Sequence, residues 1–124
     1  MSRLKDTFYL PVDRICMHEF VLSDKGLSGG VTTNDIGKRV LDFGFHSPTV
    51  YFPLLIHGAM MIEPTETETL SSLDHFVDTM KKIKRECDEN PGIVLGAPHN
   101  TPVKRVDTVL AAKNPVLVWG DDRG

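Results

Sequence analysis

The sequence predicts an α+β domain, a small antiparallel sheet with helices packed on one face. Three observations point there. Residues 16–22 alternate between two faces with the two-residue period of a strand. Two longer stretches, 32–44 and 71–90, repeat apolar residues at helical spacing between recognisable end signals. Two short apolar runs, 49–56 and 59–62, lie between those helices and are bracketed by proline and glycine. The order strand, helix, strand, strand, helix, tail suits helices layered on a small sheet, with the ferredoxin-like arrangement as a neighbour.

Residues 1–14 come first. Leu4, Phe8 and Leu10 suit a short helix or an extended lead-in before Pro11. This apolar set has no start cap, so the element is expected to begin upstream of Met1. Cys16, His18, Phe20 and Leu22 share one face of the first strand, with Met17, Glu19 and Val21 on the other. Ser23-Asp24-Lys25-Gly26 reads as a turn. Gly26, Gly29 and Gly30 then make a flexible connection.

The first helix spans 32–44. Thr32 and Asp35 have the spacing of a variant capping box. Ile36, Val40 and Phe43 form its apolar face, and Gly44 suits a left-handed terminator. In the run 49–56, Pro53 cannot donate to a ladder, so an edge, a bulge or a break is expected there. His57-Gly58 joins that run to 59–62, and Pro64 ends the pair. The second helix spans 71–90. Its stripe is Leu73, Phe76, Val77, Met80, Ile83 and Cys87. Ser71 followed by Asp74 suggests its N-cap, and Asn90-Pro91-Gly92 its stop. Acids before and in its first turn and basic residues toward its end would complement the helix dipole. Beyond Ile93 the pattern loosens into a proline-bracketed loop, 97–102, then a short helix over 106–112 ended by Asn114-Pro115. An apolar run at 116–119 follows. Residues 1–119 are read as one small domain and 120–124 as a disordered tail.

Composition narrows the function. A 124-residue chain suits one domain and can hide roughly 65% of its unfolded surface. A net charge of −3 gives no electrostatic case for nucleic acid. The basic run 81–85 shares its helix with Asp78, Glu86, Asp88 and Glu89, the pattern of a solvated face. No apolar stretch approaches the ~20 residues of a membrane span, and the charged start is unlike a signal peptide. Cys16 and Cys87 read as reduced thiols in a cytoplasmic protein rather than as a disulfide framework.

The chemistry-bearing groups concentrate in residues 44–68. His46 and His57 flank the apolar runs, and Glu63, Glu66 and Glu68 follow them. The acids suit a general acid and base or a plain helix lead-in. Glu63, set between an apolar strand and Pro64, is the one least explained as a lead-in. No metal site is expected, because no two of the five histidines have ligand spacing and there is no Cys-x-x-Cys. Cys16 and His18 as strand neighbours lack a third group, and no Gly-x-Ser-x-Gly elbow exists. Lys25, in a turn beside Asp24, reads as surface. Residues 26–30 lead toward a helix start that can bind an anion, but no lysine follows in P-loop register.

Several strings carry more than spacing. They are Arg3-Leu4-Lys5-Asp6, Asp13-Arg14, Cys16-Met17-His18-Glu19-Phe20 and Asp35-Ile36-Gly37-Lys38-Arg39. Asp42-Phe43-Gly44-Phe45-His46-Ser47-Pro48-Thr49 and Met61-Ile62-Glu63-Pro64-Thr65-Glu66-Thr67-Glu68 follow, then Ala97-Pro98-His99 and Thr101-Pro102-Val103. Together they resemble the C-terminal part of the P-protein (glycine dehydrogenase, decarboxylating) of the glycine cleavage system, in the manner of subunit 2 of its split bacterial and archaeal form. The strings are ordered and collinear, and the resemblance runs from about Arg3 to Trp119.

The resemblance implies the small C-terminal domain of a pyridoxal 5'-phosphate (PLP) enzyme of the aspartate-aminotransferase fold, fold type I. In that family glycine is decarboxylated on PLP, and the aminomethyl group passes to the lipoyl arm of H-protein. The partners it implies are the remainder of the P-protein, as a large PLP domain or subunit 1, lipoylated H-protein, and glycine. His46, Thr49, Glu63, Thr65 and Glu66 match family motifs and are expected to face the active-site cleft or a subunit interface. No catalytic step and no cofactor contact is assigned to any of them. The family's cofactor lysine lies upstream of these motifs, and Lys25 does not match it, so the chain alone is expected to be inactive. The alternatives are a stand-alone amino-acid-binding module without catalysis, which saturable binding of glycine without PLP would reveal, and a protein-interaction domain.

Overall fold

The computed structural model describes residues 1–120. Among these residues a three-stranded antiparallel sheet and four helices form an α+β unit. In chain order the elements are β1 (Phe20–Ser23), α1 (Thr33–Leu41), β2 (Thr49–Val50), β3 (Ala59–Ile62), α2 (Leu70–Glu89), α3 (Pro91–Leu95) and α4 (Thr108–Lys113). The strand order is β1-β3-β2, with β3 central.

Register fixes the faces. Phe20 pairs with Ile62, Leu22 with Met60, and Val50 also with Met60, so these side chains share one face. That face meets Ile36 and Val40 of α1, Met80, Ile83 and Cys87 of α2, and Val94 of α3 in one connected core. The N-terminal segment joins it through Leu4 and Phe8, both almost fully buried. It is neither a helix nor a plain lead-in. A run of turns seats those two side chains, and Tyr9 then bridges to Ser23 at the β1 edge.

Both long helices form where periodicity places them. The Asp35 carboxylate accepts from the Thr32 backbone N–H (2.8 Å) and hydroxyl (2.7 Å), so the expected box closes the start of α1. At the other end Gly44 has φ +81°. Gly44 N–H donates to Leu41 O and Phe45 N–H to Val40 O, the paired bonds of a Schellman terminator. In α2, Met80, Ile83 and Cys87 are buried, and Leu73, Phe76 and Val77 half-buried.

Several expectations are corrected. The first strand begins at Phe20, not Cys16, because Ile15 and Met17 point into solvent and nothing pairs with 16–19. Cys16 and His18 are therefore not strand neighbours, and His18 pairs with Glu19 (2.6 Å). The second strand is only Thr49–Val50. Tyr51 has φ +59° and breaks it two residues before Pro53. The cap of α2 is Thr69, whose hydroxyl accepts from Ser72 N–H (3.1 Å), rather than Ser71. Neither the first turn of α2 is acidic nor its last turn basic, so the expected dipole complement is not made. Asn90-Pro91-Gly92 ends α2 but also starts α3, with Pro91 at its first position. The last helix starts at Thr108, capped by Asp107, and ends before Asn114 as expected. The expected tail lies outside the described residues except for Gly120.

Candidate functional site

A groove of about 430 Å³ opens between the N-terminal turn, the Phe45–Pro48 segment, the end of β3 and the first turns of α2. Each wall has a local cause. The α1 terminator at Gly44 redirects the chain, so that Phe45 packs edge-on against Phe76 (centroids 5.2 Å, 84°) and tilted against His75 (5.1 Å). Gly37 of α1 lets the next segment approach closely: a Cβ there would sit 2.6 Å from Ser47 Oγ. β3 ends at Ile62, so Glu63 and Pro64 turn outward at its lip. The floor is apolar, built by Leu4, Phe20, Ile62 and Phe76. Polar groups stand around it: Arg3 and Asp74, paired with each other, and Glu68, which accepts from Ser72 Oγ (2.6 Å).

His46 and Glu63 both line this groove, brought together from segments on either side of the β2–β3 pair. Both are exposed. Among the described residues neither takes part in an ion pair. Thr49, Thr65 and Glu66 lie outside the lining. Thr49 pairs opposite Met61, on the sheet face away from the core. Thr65 bonds Thr67 (2.9 Å), and Glu66 is exposed. None of these three hydrogen-bonds His46 or Glu63 among the described residues. Sequence reasoning missed the N-terminal turn, Asp74 and Leu70 as groove walls. The apolar spacing of Leu4 and Phe8 signalled that the segment is anchored, but not where.

The other chemical candidates resolve plainly. Lys25 lies over the Tyr9 ring (4.5 Å to its centroid). The helix start after the 26–30 connection is already occupied by acids: Asp24 accepts from Thr33 N–H (3.1 Å), and Asp35 closes the box. Two carboxylates there would repel a phosphate. No cluster of His, Cys, Asp and Glu able to hold a metal occurs among the described residues. Among the described residues no helix is long and apolar enough to cross a membrane. Both cysteines are free, and burial pushes the Cys87 thiol up to about 11.

A largely buried ionic network fixes the end of α1. Arg39 holds Glu86 with two bonds (2.8 and 2.9 Å) and Asp42 with one (2.8 Å). Asp42 also accepts the backbone N–H groups of His99 (2.5 Å) and Asn100 (2.6 Å). Burial alone would raise the Asp42 carboxyl. The bonds from Asn100, Arg39 and His99 outweigh it and hold the group below its ordinary value. Asp35 behaves alike: burial opposes ionisation, while Thr32 and then Arg105 (2.7 Å) favour it more strongly.

Comparison with known proteins gives consistent matches. The model of the family described as "Glycine dehydrogenase, C-terminal domain" matches residues 1–101. A "Probable glycine dehydrogenase (decarboxylating) subunit 2" of Caldanaerobacter subterraneus is 56% identical over 95% of this chain and 24% of its own length. Proteins with the same description from Alkaliphilus oremlandii and Listeria innocua are 50% and 57% identical, over 96% and 94% of this chain and 25% and 24% of their own. The chain thus spans about a quarter of the length of these curated relatives.

Proposed function

The chain belongs to the family of glycine dehydrogenase C-terminal domains, and from that membership we propose that it works as the small domain of a PLP-dependent, glycine-decarboxylating enzyme. The enzyme removes the carboxylate of glycine on PLP and passes the aminomethyl group to the lipoyl arm of H-protein. The observation that carries this proposal is the match at 56% identity over 95% of the chain, confined to a quarter of the relative's length. It favours part of an enzyme over a stand-alone binding module. The fold type I assignment belongs to the same proposal, supported by the α+β unit with its three-stranded antiparallel sheet. So does a cytoplasmic setting, supported by two free cysteines.

The groove's own residues do not fit a cofactor held as a lysine Schiff base. Among the described residues no lysine lines it, and its one permanent cation, Arg3, is committed to Asp74. We therefore place PLP, which would supply the electron sink for decarboxylation, on the part of the enzyme outside this chain. What this chain offers is an apolar wall that excludes water, with His46 and Glu63 at its lip. Thr49, Thr65 and Glu66, exposed nearby, would lie toward the interface with the larger part. The partners follow from the same proposal: that larger part, glycine and lipoylated H-protein.

The test is made in the full-length enzyme. His46→Ala and Glu63→Gln should each lower kcat for glycine decarboxylation by about tenfold or more, the scale of a lost polar contact in a transition state. Their melting temperatures should stay within about 2 °C of the parent, as for exposed residues. A loss of stability that accounts for the loss of rate would make both residues structural.

A further inference from the structure

The groove lies at one end of the β2–β3 pair, and the other end carries a feature that the groove leaves unexplained. Between Val50 and Ala59 the chain makes an eight-residue excursion, 51–58. Its side chains at 51–56 are Tyr, Phe, Pro, Leu, Leu and Ile. Leu54 is 88% exposed and Leu55 97%, with Tyr51 and Phe52 about half exposed. No Asp, Glu, Lys or Arg occurs anywhere from Phe43 to Ile62, in a chain with 14 basic and 17 acidic residues. A solvated loop would be expected to carry charge, and a contiguous apolar patch on a surface marks a contact.

The excursion is also held in shape. Tyr51 N–H donates to Ala59 O (2.7 Å), Asp24 N–H to Gly58 O (3.1 Å), and Ser23 Oγ to His57 O (2.7 Å). Ile56 N–H closes a turn on Pro53 O (3.1 Å). At its entry Tyr51 sits at φ +59°, a conformation costly for an aromatic L-residue, which persists only where the surroundings impose it. A preformed apolar tip loses little conformational freedom when it docks.

We propose that the 51–56 tip is an anchor that inserts into an apolar socket on the larger part of the same enzyme, the three quarters of its relatives' length that this chain does not span. The inference rests on the functional proposal above and names the surface through which the domain is held. His57-Gly58 and the four residues of β3 separate the tip from Glu63, and β3 itself spans about 10 Å at the rise of a strand. Seating the tip therefore sets the height of the groove lip, carrying His46 and Glu63, against the PLP-bearing part. The absence of charge on the tip favours an apolar socket over an acidic or basic one, and the length of the relatives outside this chain favours an intramolecular partner over a second copy.

The experiment places a reporter thiol at the tip. Leu55→Cys is made with Cys16→Ser, and its alkylation by N-ethylmaleimide is followed by peptide mass spectrometry. The 124-residue chain is compared with a full-length subunit carrying these residues as its C-terminal domain. Alkylation in the full-length protein should be at least about tenfold slower than in the chain alone. Equal rates in a full-length enzyme that decarboxylates glycine would overturn the anchor and leave the functional proposal standing. A full-length subunit that stays inert toward glycine when combined with subunit 1, whatever its alkylation, would instead strike at that proposal. Protection that appears on concentrating the 124-residue chain, with dimers in sedimentation, would make the tip a self-association surface and also overturn the anchor. Should Leu55→Cys fail to fold, Leu54→Cys serves in its place.

Discussion

At the scale of single residues, Asp42 concentrates the most interactions. Its side chain is about 1% exposed, yet it receives Arg39 and two backbone N–H groups from a loop more than fifty positions away. Replacing it by asparagine removes the charge that Arg39 and those N–H groups share, so Asp42→Asn should destabilise the fold by about 1–3 kcal/mol in urea unfolding. The pH dependence follows from the direction of the shifts. Asp42 and Asp35 both have carboxyls depressed below the ordinary 3.8. Their contribution is complete above that value and is lost as pH falls through the lower folded-state values. Stability should therefore be flat from neutral pH to about 5 and decline below about 4, with Asp42→Asn showing a shallower decline. A steeper decline in the variant would contradict this assignment. Local partners such as Thr32 with Asp35, and Gly44 at its terminator, were legible in the sequence because they act within a few positions. Asp42 with 99–100 and Arg39 with Glu86 were not, since nothing in spacing links residues 47 to 58 positions apart.

At the scale of elements, α2 and the β2–β3 pair behave differently. The α2 stripe was readable because twenty residues give the helical period several turns to repeat. Ile83 lies at its buried centre with no exposed surface. Ile83→Ala should cost about 2–5 kcal/mol by loss of packing and the cavity left behind, and a cost under 1 kcal/mol would mean that this face is loosely packed. The strand pair was read too long. Apolar residues at 51–56 satisfy a strand pattern as well as a docking tip does, and only the backbone at Tyr51 separates the two. Gly58 shows how tightly the pair is closed: it has φ +56°, and a Cβ there would lie 1.7 Å from Asp24 Oδ1. Gly58→Ala must strain the backbone and displace the carboxylate that caps Thr33 N–H, so a loss of about 2 kcal/mol or more in thermal unfolding is expected. A neutral Gly58→Ala would show that the turn can relax. The five-residue α3 went unread because a proline-glycine pair signals a stop more strongly than five residues can signal a helix.

At the scale of the whole molecule, the sequence carried the α+β class and the concentration of polar groups around the β2–β3 pair. It did not carry the groove, whose walls come from four separated segments, one of them the N-terminal turn. His46 and Glu63 came together there, while Thr49, Thr65 and Glu66 lie outside the lining; motif strings preserve order along the chain, not direction in space. Leu54, Leu55 and Val116–Trp119 are all largely exposed, and exposed apolar side chains that cluster mark surfaces a partner covers. This exposure fits a unit that works inside a larger enzyme. The most direct measurement is release of labelled carbon dioxide from carboxyl-labelled glycine, with saturating PLP and lipoylated H-protein. A full-length subunit containing this domain, combined with subunit 1, should release it, and the 124-residue chain alone should release none above background. Turnover by the chain alone, or inertness of the full-length subunit combined with subunit 1, would contradict the proposal that it is the non-cofactor-holding domain of a glycine-decarboxylating enzyme.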